Sequence, residues 1–89
     1  MKELNEVMVL GVVINNNLMG GYYLEIKNEK MEHLFTMSSV KEYADYVRAN
    51  KDFIDATLWF CQNNVSKDMA KRVENEARQY PDLLLVQQI

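Results

Sequence analysis

The apolar positions of this chain repeat with one period up to Met37 and with another from Ser39 onward. Residues 7–14, VMVLGVVI, are apolar without a break and rich in Val and Ile. β-Branched side chains suit a pleated strand better than a helix. Apolar residues on both alternating faces predict a strand covered on both sides. Val7, Val9 and Val13 would share one face, and Met8, Leu10, Val12 and Ile14 the other. NNNLMGG (15–21) follows, and Asn and Gly accept the positive φ that a chain reversal requires. Residues 22–27 alternate, with Tyr22, Leu24 and Ile26 on one face and Tyr23, Glu25 and Lys27 on the other. A short turn at 28–30 leads to a third strand, 31–37, with Met31, His33, Phe35 and Met37 on one face. Together these predict a three-stranded antiparallel meander.

From Ser39 the period is helical. SVKE (39–42) fits a capping box, with Ser39 as the N-cap and Glu42 as its reciprocal partner. Val40, Tyr43, Ala44 and Val47 then fall at i, i+3, i+4 and i+7, and Asn50 is a plausible stop. Residues 53–61 fit two templates. As a helix, Phe53, Ala56, Thr57 and Phe60 would form a stripe. As a strand, Ile54, Ala56, Leu58 and Phe60 would face the helices, and Asp55, Thr57, Trp59 and Cys61 would face away. The strand formers in TLWF favour the strand. Ser66 is the expected N-cap of a second helix over about 67–80, with Met69, Ala70, Val73, Ala77 and Tyr80 as its inner stripe. Pro81 ends it, and 83–89 reads as a last strand.

The expected architecture is therefore α+β: a single domain over 1–89, in the order β-β-β-α-β-α-β. It would have a mixed five-stranded sheet and two helices packed on one face. This order is similar to the core of the ribonuclease-H-like fold. The resemblance implies a check, because enzymes of that fold hold divalent metal with carboxylates on the first strand, first helix and fourth strand. Residues 7–14 contain no acid, Glu42 is already explained as a cap, and WFCQN places no acid at the end of the fourth strand. Two-metal phosphoryl transfer needs convergent carboxylates, so nuclease chemistry is not expected.

Composition narrows the remaining classes. A chain of 89 residues with 48% hydrophobic and 26% charged side chains can bury one small core. The net charge is −3, with three basic and five acidic residues in 1–38 and seven and eight in 39–89. No basic face stands out, which argues against nucleic acid held by its phosphates. One cysteine, Cys61, cannot close an intramolecular disulfide and fits a reducing compartment. No stretch approaches the roughly 18 apolar residues of a membrane span. Glu3 and Glu6 stand where a signal peptide wants positive charge. These features predict a soluble cytoplasmic protein.

No catalytic, cofactor-binding or metal-ligating set emerges. The glycines at 20–21 lead into a strand, and neither GxGxxG nor GxxxxGK[ST] is present, so NNNLMGG reads as a hairpin connection. His33, the only histidine, reads as a packed strand residue rather than a general base. Cys61 reads as an inert thiol. Lys67, Lys71, Arg72 and Arg78 interleave with acids and read as a solvated face. What remains unusual is Leu18–Met19 at a turn tip, where polar residues are normal. Either the pair folds back onto the core edge or it meets a partner. Tyr23 and Trp59 join it as partner-binding candidates, Trp59 because two helices leave one sheet face uncovered. The expected function is a small non-catalytic protein-binding module, in the manner of an inhibitor or adaptor encoded by phages and mobile elements, with self-association as a variant. The alternative is a nucleic-acid or small-ligand-binding domain using the open sheet face.

Overall fold

The computed structural model describes residues 6–61, 65–81 and 85–86, with the side chains of Trp59, Cys61, Leu85 and Val86 outside that description. The elements are β1 (Met8–Asn16), β2 (Tyr22–Asn28), β3 (His33–Met37), α1 (Val40–Ala49), β4 (Ile54–Cys61), α2 (Lys67–Ala77) and β5 (Leu85–Val86). They form an α+β domain with a mixed sheet. β1 pairs antiparallel with β2 and parallel with β4, and β2 pairs antiparallel with β3. The strand order is β3-β2-β1-β4, and β5 adds a two-residue parallel pairing beyond β4. β1 is interior, which explains its apolar residues on both alternations.

One core gathers Leu10, Val12 and Ile14 of β1 with Leu24 and Ile26 of β2. Val40, Tyr43, Tyr46 and Val47 of α1 and Val73 and Ala77 of α2 complete it. Tyr43 and Thr57 share a buried hydroxyl hydrogen bond of 2.8 Å, so two polar groups enter the core already paired. Burial holds the phenols of Tyr43 and Tyr46 above the ordinary tyrosine range. The Tyr46 hydroxyl is buried with no hydrogen-bond partner among the described residues. Phe35 meets the Tyr46 ring edge-on at 4.9 Å, and the Arg48 guanidinium lies 5.1 Å from the Tyr80 ring centre.

Several expectations need correction. Residues 54–61 are a strand and not a helix, but its facing is not the expected one. Met8 pairs with Ile54 and Val9 with Ala56, so Asp55 is an extra residue in β4. A one-residue bulge reverses the alternation beyond it. Ile54 packs on the helix side, and so does Thr57, three residues later. Ala56, Leu58 and Phe60 consequently fall on the other face. β3 behaves in the same way. Ile26 pairs with Phe35 and Lys27 with His33, which leaves Leu34 as the extra residue. Phe35 and Met37 join the core, while His33 lies on the outer face beside Thr36, 3.0 Å away.

The element ends also move. β3 starts at His33, because Met31 belongs to the preceding turn with φ 65°. α2 ends at Ala77; two tight turns, from Gln79 to Glu76 and from Tyr80 to Ala77, carry the chain to Pro81. Of the expected fifth strand over 83–89, the described residues show only Leu85–Val86, a two-residue parallel pairing beside four full strands. The rest of that segment lies outside the described residues. The cap of α1 is Ser39, whose Oγ accepts from the Glu42 backbone N–H at 3.1 Å. The return half of the box is displaced by one residue. Glu42 Oε2 accepts from the Ser38 hydroxyl at 2.7 Å and the Ser38 N–H at 3.0 Å, and these bonds hold the Glu42 carboxyl below the usual range.

Candidate functional site

The β1–β2 connection is built around Asn17. Its Oδ1 accepts from the backbone N–H groups of Met19 at 2.9 Å and Gly21 at 2.8 Å. Its own N–H donates to the Gly21 carbonyl at 3.1 Å, and the Gly20 N–H donates back to the Asn17 carbonyl at 3.4 Å. Gly20 has φ 83°, a conformation that only glycine enters without a penalty. A short asparagine side chain thus satisfies donors that a tight reversal leaves unpaired. The loop is held by its polar backbone and not by its two central side chains.

Those two side chains are Leu18 and Met19, and both stand fully clear of the body of the protein. The fold-back alternative for this pair is therefore not what the structure shows. Burying a side chain of this size is worth about 1.5–3 kcal/mol, and here neither side chain gains it. The result is an uncharged apolar knob on a hydrogen-bonded turn at one end of the sheet.

Tyr22 follows immediately and fastens the base of the hairpin to both helices. Its hydroxyl donates to Glu76 Oε2 on α2 at 2.6 Å and accepts from the Val40 N–H at the start of α1 at 3.1 Å. Burial, with the bond to Glu76, pushes the Tyr22 phenol up to about 12. The neighbouring candidate, Tyr23, is half-buried and pairs with Asn15 across the ladder. Trp59 is in ladder register with Val12, and its side chain lies outside the described residues. The Cys61 side chain likewise lies outside the described residues.

The face away from the helices is less open than two helices would suggest. Val13 there is only 2% exposed. At Gly11 an added Cβ would stand 3.1 Å from Phe60 Cε2 and 3.8 Å from Met31 Sδ, so the two side chains converge over the glycine and cover it. Beside them Asn15 Nδ2 donates to Glu25 Oε1 at 2.6 Å, and Lys27 pairs with Glu25 at 3.8 Å. A cleft of about 200 Å³ opens between the start of β1 and the β2–β3 turn, with Glu6, Glu29, Glu32 and Lys30 in its walls.

Val7, Phe53 and Met31 are further exposed apolar residues that sequence reasoning did not single out. The Met8 N–H donates to the Phe53 carbonyl at 2.8 Å, which brings Val7 and Phe53 together at the end of the sheet remote from Leu18. Single exposed apolar residues are normal on protein surfaces, and no sequence signal distinguishes these. Among the described residues no group of three His, Cys, Asp or Glu side chains could hold a metal ion. Among them, too, no helix is long and apolar enough to cross a membrane. No protein-family model, curated protein or solved structure matches the chain.

Proposed function

We propose that this chain is a small, non-catalytic, cytoplasmic protein-binding module, and that the Leu18–Met19 turn is its principal contact. One observation carries the reading: two fully exposed apolar side chains sit on a turn whose backbone is already hydrogen-bonded without them. A preorganised knob loses little conformational freedom on docking, so more of its burial energy is realised as affinity. An inhibitor or adaptor of another protein is the role that suits such a knob, in the manner of accessory proteins from phages and mobile elements. A homo-oligomer is the variant in which the partner is a second copy. Lys27, on the outer sheet face, is already paired with Glu25, which leaves nucleic-acid binding there with little electrostatic support.

Affinity purification from the native host, with mass spectrometry of what co-purifies, tests the proposal. The wild-type chain and a Leu18→Ser/Met19→Ser chain are compared side by side. The expected result is a partner retained by the first and lost by the second. Equal retention by both would remove the turn from the contact.

A further inference from the structure

We propose that Met19 is a peroxide-reactive modification site, and that its sulfoxide makes the tip polar while leaving the fold intact. The consequence for binding rests on the contact role argued above; the chemistry does not. Met19 is 93% exposed, against 44% for Met31 and 6% for Met37. Met8 and Met69 are half-buried and packed against the core. Oxidation of methionine follows access to the sulfur. The Met19 thioether attacks one oxygen of hydrogen peroxide; the S–O bond forms as the O–O bond breaks. The departing hydroxide takes up the proton of the new sulfur-bound hydroxyl and leaves as water. Sulfur gives up two electrons and the peroxide accepts them, and methionine sulfoxide reductases can reverse the change.

The fold tolerates this product for a reason visible within the molecule. The β2–β3 turn has the same hydrogen-bonding plan as the β1–β2 turn, with Asn28 in the place of Asn17. The residue corresponding to Met19 is there Lys30, so this turn position accommodates a strongly polar side chain. Among the described residues the Met19 side chain makes no hydrogen bond; only its backbone N–H is used, donating to Asn17 Oδ1. A sulfoxide at the tip would stay hydrated in the free protein and would have to be desolvated in an apolar pocket, which disfavours docking.

The test uses the purified full chain and limiting hydrogen peroxide, with peptide mapping by mass spectrometry over time and a thermal melt of the product. Met19 sulfoxide should form several-fold faster than the sulfoxides of Met8, Met31 and Met69, with Met37 last, and the singly oxidised chain should melt as the wild type does. A Met19→Leu chain should lose this fast step and show only the slower oxidation of the remaining methionines at the same dose. Oxidation of Met31 or Met69 as fast as Met19 would overturn the proposal, and so would a melting temperature that falls as Met19 sulfoxide accumulates. Met19→Gln, a polar side chain of similar size, separates the two claims in the host purification. If it retains the partner as the wild type does, the switching role is overturned while the peptide map still judges the chemistry.

Discussion

In the β1–β2 turn, Asn17 Oδ1 accepts from Met19 and Gly21; in the β2–β3 turn, Asn28 Oδ1 accepts from Lys30 and Glu32, both at 3.0 Å. In each turn the asparagine N–H donates to the carbonyl four residues on, at 3.1 Å. In each, the fourth residue has positive φ: Gly20 at 83° and Met31 at 65°. Two five-residue reversals in one small protein have thus reached the same solution, and they differ in what they display. The second carries Glu29–Lys30 at its tip, the hydrated pair expected of a surface turn. The first carries Leu18–Met19. Because the same backbone is content with charges, turn geometry does not explain the apolar pair; the proposed contact would.

The fourth position differs in a complementary way. Gly20 is free of strain and has no atom near the space a Cβ would fill. Met31 accepts a left-handed backbone, which costs an L-residue roughly 1–2 kcal/mol, and its sulfur reaches over Gly11. The second turn therefore gives up some backbone energy to cover the sheet, while the first gives up nothing and covers nothing.

The largest effect should come from the anchors. Asn17→Ala and Asn28→Ala each remove one side-chain oxygen that accepts two backbone hydrogen bonds, and each should cost about 1–3 kcal/mol, at roughly 0.5–1.5 per net hydrogen bond. Urea melts of the two variants should give matched losses. A loss in only one would break the equivalence of the turns.

The exits of the turns come next. Tyr22 leaves the first turn and ties it to both helices, whereas His33, leaving the second, bonds Thr36 on its own strand. Tyr22→Phe should cost about 1–2 kcal/mol. It should also change the alkaline limb of the stability curve. The Tyr22 phenol is raised in the folded state from 10.0 to about 12, so its contribution is complete below pH 10 and is lost as pH rises through about 12. The wild type should lose stability over that window, and Tyr22→Phe should lose less. An identical slope in both proteins would mean that the Tyr22 phenol is not shielded.

At Met31 two substitutions separate strain from packing. Met31→Ala and Met31→Gly both remove the sulfur from Gly11, but only glycine relieves the positive φ. The glycine variant should be more stable than the alanine variant by about 1 kcal/mol. Equal midpoints in chemical denaturation would show that position 31 is not held in the left-handed region.

Much of this was legible in the sequence. The unbroken apolar run of β1, the Ser39 and Ser66 caps and the two helical stripes each follow from local chemistry, and Ser66 Oγ indeed accepts from the Met69 N–H at 3.1 Å. The first turn was legible because Asn and Gly announce a reversal. The second is only half legible, because nothing about a methionine signals a left-handed backbone, and the period-2 pattern alone places Met31 in the strand. The facing of β3 and β4 was not legible either. Asp55 and Leu34 are extra residues whose effect depends on pairing with β1 and β2, and a bulge cannot be read from the bulged strand alone. The same slip moved Thr57 to the helix side, where Tyr43 meets it. Of the candidate site, Leu18 and Met19 were found because they broke a local rule; that their side chains stand clear of the core required the fold.

The smallest expected effect on stability tests the central claim most directly. Leu18→Glu with Met19→Lys transplants the tip of the second turn onto the first. If the two turns are equivalent in folding and Leu18–Met19 serve only a contact, the urea midpoint should match that of the wild type to within about 0.5 kcal/mol, as for surface positions generally. A loss of about 2 kcal/mol or more, the size of a buried apolar side chain, would place the pair in the core and contradict the account.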